Sequence, residues 1–581
     1  MAVRRGVWLV FGLILTAIMV SAAGLIFTAM LVGREAQVVG NSTLILKVSG
    51  DLAELEAGGV LGQFFESSPT VKSVVDTLRK AKVDKRITSV VVRPTGTAAL
   101  WGKVQEIRDA ISDFKGSGKP IIAFLEYGGE QEFYLASACD KVFLLPTASL
   151  DLTGIASYEL FLRGTLDKIG AYPDALHVGE FKTAANAFTE KTFTPSHREM
   201  AQSLNTDLYE QLVEGLAAGR RKSAAEVRAL IDHGPFLPED AIRAGLIDDV
   251  AYEDELDDKV QLGKGASHFL ADADYRKVSV ASLGLNKGPR IAVIYAVGVI
   301  TSGASNYDAT SGPSIGSDTF VEILRKVRAD DSIKAIILRV DSPGGSALAS
   351  DVIWREVMLT RQVKPVIASM SDVAASGGYY ISMPAHAIVA EPATLTGSIG
   401  VVLVKFAIGG TLEKLGMNME RVTSGRYADL YAPDKVFTPE ERARILEQMQ
   451  ATYDAFVEKA AAGRNTTPER IDKIGQGRVW TGSQGKQIGL VDELGGMNRA
   501  IEIAKQRAKI DAKSEVELVV YPQRKSFLEL VESPFGASAS AGILGGLLGI
   551  HDAQAVQRLT APLRLFRRGE PLAIMPNVFV R

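Results

Sequence analysis

Three clusters of small residues hold groups that could attack a carbonyl or steady the charge formed on it. They are Asp341-Ser342-Pro343-Gly344-Gly345-Ser346, Ala374-Ala375-Ser376-Gly377-Gly378-Tyr379-Tyr380 and Thr396-Gly397-Ser398-Ile399-Gly400. Adjacent glycines let a ligand approach backbone N–H groups that a side chain would shield. A serine wrapped in Ala and Gly at a strand-to-helix turn is open to attack a carbonyl, and N–H groups at the helix start can hold the oxyanion. Ser376 matches that description best, and Ser398 is the second candidate. A serine hydroxyl needs a base, and none of the six histidines stands beside these clusters, so no histidine triad can be assembled. Lysine can serve where burial disfavours its ammonium, lowering the pKa by up to about 3 to 5 units when fully buried. Lys182 has uncharged flanks, Phe181 before it and Thr183-Ala184-Ala185 after it, although Glu180 is near. A Ser/Lys pair attacking an acyl carbon is chemically coherent. Taken singly, each glycine cluster could equally close a turn, and a lone lysine is ordinarily a solvated surface group.

An internal repeat changes those odds. Tyr209, Val213, Glu214, Gly219 and Arg220 return about 245 positions later as Tyr453, Val457, Glu458, Gly463 and Arg464. At closely similar spacing Phe193-Thr194-Pro195 returns as Phe437-Thr438-Pro439, and Leu246-Ile247-Asp248 as Leu490-Val491-Asp492. Lys119-Pro120-Ile121-Ile122-Ala123 answers Lys364-Pro365-Val366-Ile367-Ala368, while Asp84, Ile87 and Arg93 answer Asp330, Ile333 and Arg339. The chain is therefore a tandem duplication, with copies over 41–262 and 289–522 and a linker over 263–288. Each copy serves as a control for the other. Ser376 faces Glu130, and Gly344-Gly345 faces Ala98-Ala99, so the first copy lacks the nucleophile and the glycine pair. Conversely, Gly179-Glu180-Phe181-Lys182 faces Gly425-Arg426-Tyr427-Ala428, so the second copy lacks the lysine. An ungapped count from the Phe-Thr-Pro landmark puts Arg426 there instead, which is also no base. Each copy keeps half of a site.

The elements that must position these halves alternate in type. In the second copy, 291–299, 335–340 and 365–369 are apolar and β-branched and are predicted as buried strands, the last ending near Met370; 317–328 and 348–361 are predicted as helices. Such alternation implies an α/β fold with a mainly parallel sheet and right-handed crossovers in each copy. A helical stretch over 439–463 follows. Residues 523–581 hold a Gly/Ala-rich run over 536–549 and basic Arg564, Arg567 and Arg568, and are expected to be partly disordered or surface-associated.

The rest of the chain bounds the class. Its 581 residues, 46% hydrophobic, can bury a core in each copy. A net charge of -3 leaves no basic stripe for nucleic acid. The single cysteine, Cys139, excludes an internal disulfide; there is no CxxC pair or HExxH helix for zinc, and no Gly-Lys pair followed by Ser or Thr for ATP phosphates. No metal or cofactor is expected. From Gly6 to Gly33 no residue is charged, long enough to cross a hydrocarbon layer of roughly 30 Å. With Arg4 and Arg5 before it and Arg34 and Glu35 after it, residues 1–36 are predicted as a short cytoplasmic end and an uncleaved single-pass anchor, the remainder being exported. Processing near Ser21-Ala22-Ala23 is the rival reading.

The Ser-Pro-Gly-Gly, Ala-Ala-Ser-Gly-Gly-Tyr-Tyr and Thr-Gly-Ser-Ile-Gly series, with the upstream Gly-Glu-Phe-Lys-Thr-Ala, resembles the long, two-repeat form of the bacterial signal peptide peptidases, the protease IV type. The resemblance runs from the anchor to about residue 522. It implies a Clp-protease/crotonase-like fold in each repeat, Ser376 as nucleophile, Lys182 as general base, and Gly345 with Gly377 as backbone oxyanion donors. By the same resemblance Ser398 lies near the site without being the nucleophile. The implied substrates are signal peptides already cut from exported preproteins. The implied setting is a homotetramer on the periplasmic side of the inner membrane, lipid being met by the N-terminal helix. Two alternatives share the fold: a crotonase-like acyl-CoA enzyme, which needs neither Ser376, Lys182 nor an anchor, and a catalytically dead membrane scaffold, if the half-sites never meet.

Overall fold

The computed structural model describes residues 38–55, 69–260, 268–308, 312–523, 571–576 and 579–580, with positions 12, 16, 19 and 24 besides. The expected span over 6–33 therefore lies outside the described residues except at those four positions, and 536–549 with Arg564, Arg567 and Arg568 lie outside them too. Among the described residues no helix is long and apolar enough to cross a membrane.

The duplication reappears as topology. In the first copy six parallel strands lie in the order Asp249–Val250, Lys141–Leu144, Ile121–Leu125, Ile87–Thr97, Ser42–Gly50 and His268–Ala271. The second copy repeats that order with Glu493–Leu494, Ala387–Ala390, Val366–Ala375, Ile333–Ser342, Arg290–Val297 and Glu517–Tyr521. Runs such as Ile121–Leu125 and Ala387–Ala390 are buried at every position, as strands covered on both faces must be. Helices Trp101–Lys115 and Ala347–Arg361 are the matching crossovers. The Phe-Thr-Pro landmark proves to be a helix start: Thr194 and Thr438 cap helices Pro195–Arg220 and Pro439–Gly463 with proline in the first turn.

Three segments differ from expectation. Within 263–288, read as linker, His268–Ala271 forms the edge of the first sheet and Tyr275 is fully buried. Strands Ile333–Ser342 and Val366–Ala375 run past Val340 and Met370. Ser371 and Asp372 read as a strand end because they are polar, yet both are buried. Beyond them the strand continues by pairing Val373–Ala375 with Leu395–Gly397. The tail is the third case. Leu572–Ile574 is a buried strand rather than a disordered or surface-associated segment, lying antiparallel between Gly344–Ser346 and Val401–Ala407. A short apolar run between Pro571 and Pro576 has no helical period to advertise it, and its partners are far away in sequence.

That strand belongs to a mixed sheet joining the copies, in the order Tyr307–Asp308, Gly312–Gly316, Val299–Thr301, Gly344–Ser346, Leu572–Ile574, Val401–Ala407 and Tyr172–Val178. The last two come from different copies and pair antiparallel along their whole length.

Candidate active site

Ser376 is the single residue between strand Val366–Ala375 and helix Gly377–Ser382. Its φ of 54° and ψ of -111° lie where a non-glycine residue is strained, which is how a sharp strand-to-helix turn lifts a side chain off the sheet. The turn is held by its N–H, which donates to Gly397 O at 2.7 Å, and by its carbonyl, which accepts from Tyr380 N at 2.8 Å. In the first copy the corresponding turn leads into helix Glu130–Ala136, with Glu130 in the serine's place.

Lys182 reaches the turn from the other copy. Val178 pairs with Val401 in the mixed sheet, so the chain just after Val178 and the chain just before Val401 emerge at the same end. The Lys182 amine consequently lies 2.8 Å from Ser376 Oγ, 2.9 Å from Ser398 O and 3.0 Å from Ser398 Oγ. The Lys182 backbone is fixed by Phe181 N donating to Gln476 O at 2.7 Å, and by Gly477, where a Cβ would stand 2.5 Å from Lys182 N. Lys182 is 1% exposed, and burial, with no charged neighbour opposing it, holds the amine well below the ordinary lysine range. A neutral amine has two N–H bonds and one lone pair. With both N–H groups directed at Ser398, the lone pair is left for the Ser376 hydroxyl.

The structure brings both candidate serines to one amine. They differ in surroundings: Ser398 spends its carbonyl and hydroxyl on Lys182, whereas Ser376 adjoins Gly377 and the Gly344–Ser346 strand. Gly345 has a φ of 153°, and a Cβ there would lie 2.1 Å from Ile300 O, so only glycine lets this strand come so close. Gly377 and Gly344 are also in contact, since a Cβ on Gly344 would lie 2.7 Å from Gly377 N. The two N–H groups singled out by resemblance thus border one notch beside Ser376.

Sequence reasoning missed the charges beneath this notch. Lys103, on a first-copy helix, places its amine 2.7 Å from Asp341 and 3.6 Å from Asp372, both in second-copy segments that lead to the glycines and to Ser376. Asp372 in turn accepts from Leu100 N at 2.9 Å and Lys103 N at 2.8 Å, capping the first-copy helix from the other copy. Deeper in, the Arg339 guanidinium meets Glu54 through two bonds of 2.8 and 2.7 Å and Glu106 at 2.6 Å. Burial alone would lower Arg339; these carboxylates reverse that and hold it firmly charged. The repeat did flag Arg339 opposite Arg93, but the pairing of either arginine was not readable. A dead scaffold required half-sites that stay apart; these two touch.

Comparison with known proteins places the geometry. The model of peptidase family S49 matches residues 113–267 and 358–511, one stretch in each copy. The chain is 39% identical over 495 residues to the chloroplastic serine protease SPPA of Arabidopsis thaliana, covering 84% of this chain and 73% of that one. It is 33% identical over 534 residues to Protease 4 of Salmonella typhi, covering 88% and 85% respectively. Among solved structures, a mutant of the membrane-bound stomatin-specific protease 1510-N aligns with 16% identity and a TM-score of 0.26 over 40% of this chain and 97% of that one, too distant to carry weight.

Proposed function

Because the chain belongs to peptidase family S49 and is a serine peptidase, we propose that Ser376 is its nucleophile and Lys182 its general base. Ser376 Oγ attacks the carbonyl carbon of a peptide bond while its proton passes to the Lys182 lone pair. The oxyanion is held by the N–H groups of Gly345 and Gly377. The Lys182 ammonium then protonates the departing amine. A water deprotonated by Lys182 hydrolyses the acyl-enzyme. The observation that carries this reading is the buried amine 2.8 Å from a hydroxyl, each supplied by a different copy. Membership of a peptidase family sets the acyl-CoA alternative aside. In the test, Ser376→Ala is expected to lower hydrolysis of casein or a fluorogenic peptide by at least about 10³-fold. Undiminished hydrolysis would remove Ser376 from the reaction.

The finer assignment follows from the resemblance. Each repeat is read as Clp-protease/crotonase-like, and the substrates as signal peptides released from exported preproteins. Supporting that substrate class, Met200, Leu204, Leu395 and Val479 form an apolar cluster with Ala375, next to the nucleophile. Residues 6–33 are read as the anchor and the repeats as periplasmic, which the uncharged run and the preceding Arg4 and Arg5 support. A homotetramer is supported by Leu415, Met417, Met419 and Val422, an apolar run 67%, 55%, 45% and 101% exposed in the single chain. Light scattering of the detergent-solubilised protein tests this: a monomeric mass would remove the tetramer.

A further inference from the structure

We propose that the chain's own residues 571–576 are an internal competitor that occupies the substrate strand's place across the site. This rests on the reading of Ser376, Gly345 and Gly377 given above and adds how access to them is controlled.

The register carries the proposal. Ala347 N donates to Pro571 O at 3.3 Å, and Met575 N donates to Pro343 O at 2.9 Å. In an antiparallel ladder hydrogen-bonded pairs recur every second residue, so the pair between these two, Gly345 with Ala573, is also hydrogen-bonded. The Gly345 N–H therefore points at the Ala573 carbonyl oxygen. That same oxygen abuts Gly377, where an added Cβ would stand only 3.2 Å from it. One carbonyl thus sits in the notch bordered by both oxyanion donors, beside Ser376.

The side chains alternate as a bound peptide's would. Leu572 and Ile574 pack with Ala185, Val402 and Val404, while Met575 joins Met200, Leu204, Ala375, Leu395 and Val479. Ala573 itself is 1% exposed. Further on, Phe579 and Val580 pair antiparallel with Tyr158 and Ser157 of the first copy. The segment therefore enters along one copy and leaves along the other, crossing the site where the halves meet. The ligand class it mimics is an extended apolar peptide with a small residue at the reacting carbonyl. A tethered occupant acts at an effective concentration in about the mM range, so a free peptide must outcompete it.

The test uses the Ser376→Ala chain, in which binding is read without turnover, and a dye-labelled peptide Pro-Leu-Ala-Ile-Met-Pro, the segment's own sequence. Anisotropy titrations compare the full-length chain with one ending at Gly569 and with full-length Ala573→Arg, whose side chain cannot enter the buried position. Both variants are expected to bind the probe about ten-fold or more tightly than the full-length chain does. Equal affinity in all three, or no binding by variants that melt like the parent, would make the segment a structural strand and overturn the proposal. Should the shortened chain not fold, Ala573→Arg decides. Hydrolysis retained by Ser376→Ala would instead sink the catalytic reading and leave the binding result standing.

Discussion

At the scale of single residues the controlling fact is that Lys182 gives up solvent without gaining a counter-charge. Burial lowers its pKa, so between that lowered value and the ordinary lysine value the unfolded chain carries a proton the folded chain lacks. Stability from this group consequently rises with pH across that window, and so does the fraction of amine able to accept a proton. Below the lowered value kcat/KM should fall tenfold per pH unit. A rate profile flat from pH 5 to about 9 would mean that Lys182 is not the base. Ser398 gives a second prediction. Ser398→Ala removes one hydrogen bond to the amine but leaves the Ser398 carbonyl in place, so kcat should fall only about ten-fold, equivalent to about 1.4 kcal/mol. Complete loss, with binding intact, would make Ser398 the attacking group. Ser376 was legible because its Ala/Gly setting is local. The separation of its role from that of Ser398 was not, because it depends on which donors surround each hydroxyl.

At the scale of elements, the helices and strands of each copy could be read from periodicity, and repetition fixed their order. What could not be read were the places where an element is completed by the other copy. Asp372 looks like a turn residue until its carboxylate is seen capping a first-copy helix. The 571–576 strand has no local signal at all. The Arg339 cluster is the sharpest case, since a buried guanidinium is tolerable only while Glu54 and Glu106 surround it. Arg339→Met would leave two carboxylates buried and unpaired, and should lower stability by about 3 to 5 kcal/mol in urea unfolding followed by circular dichroism. Adding Glu54→Gln and Glu106→Gln to Arg339→Met should restore much of that loss. A single substitution that changes the midpoint by less than about 1 kcal/mol would show that the cluster does not hold the copies together.

At the scale of the whole molecule, duplication followed by complementary loss gives a site that neither copy can build. The mixed sheet explains why the losses were tolerable: Tyr172–Val178 and Val401–Ala407 bind the copies along a full strand, so one lysine and one serine suffice. Sequence comparison of the copies exposed the division of labour, but not whether the amine meets the serine of its own chain or of a neighbour. The geometry chooses its own chain, at 2.8 Å. Lys182→Ala and Ser376→Ala full-length chains, co-expressed with different affinity tags and purified through both, should then form mixed assemblies with no peptidase activity. Within each such chain one half of the pair is missing, and assembly cannot restore it. If lysine were instead donated between subunits, some sites in the mixture would combine an intact Lys182 with an intact Ser376, and activity would return to about a quarter to a half of wild type, as in a random two-component assembly. Recovery on that scale would relocate the active site from the fold of one chain to the contact between chains.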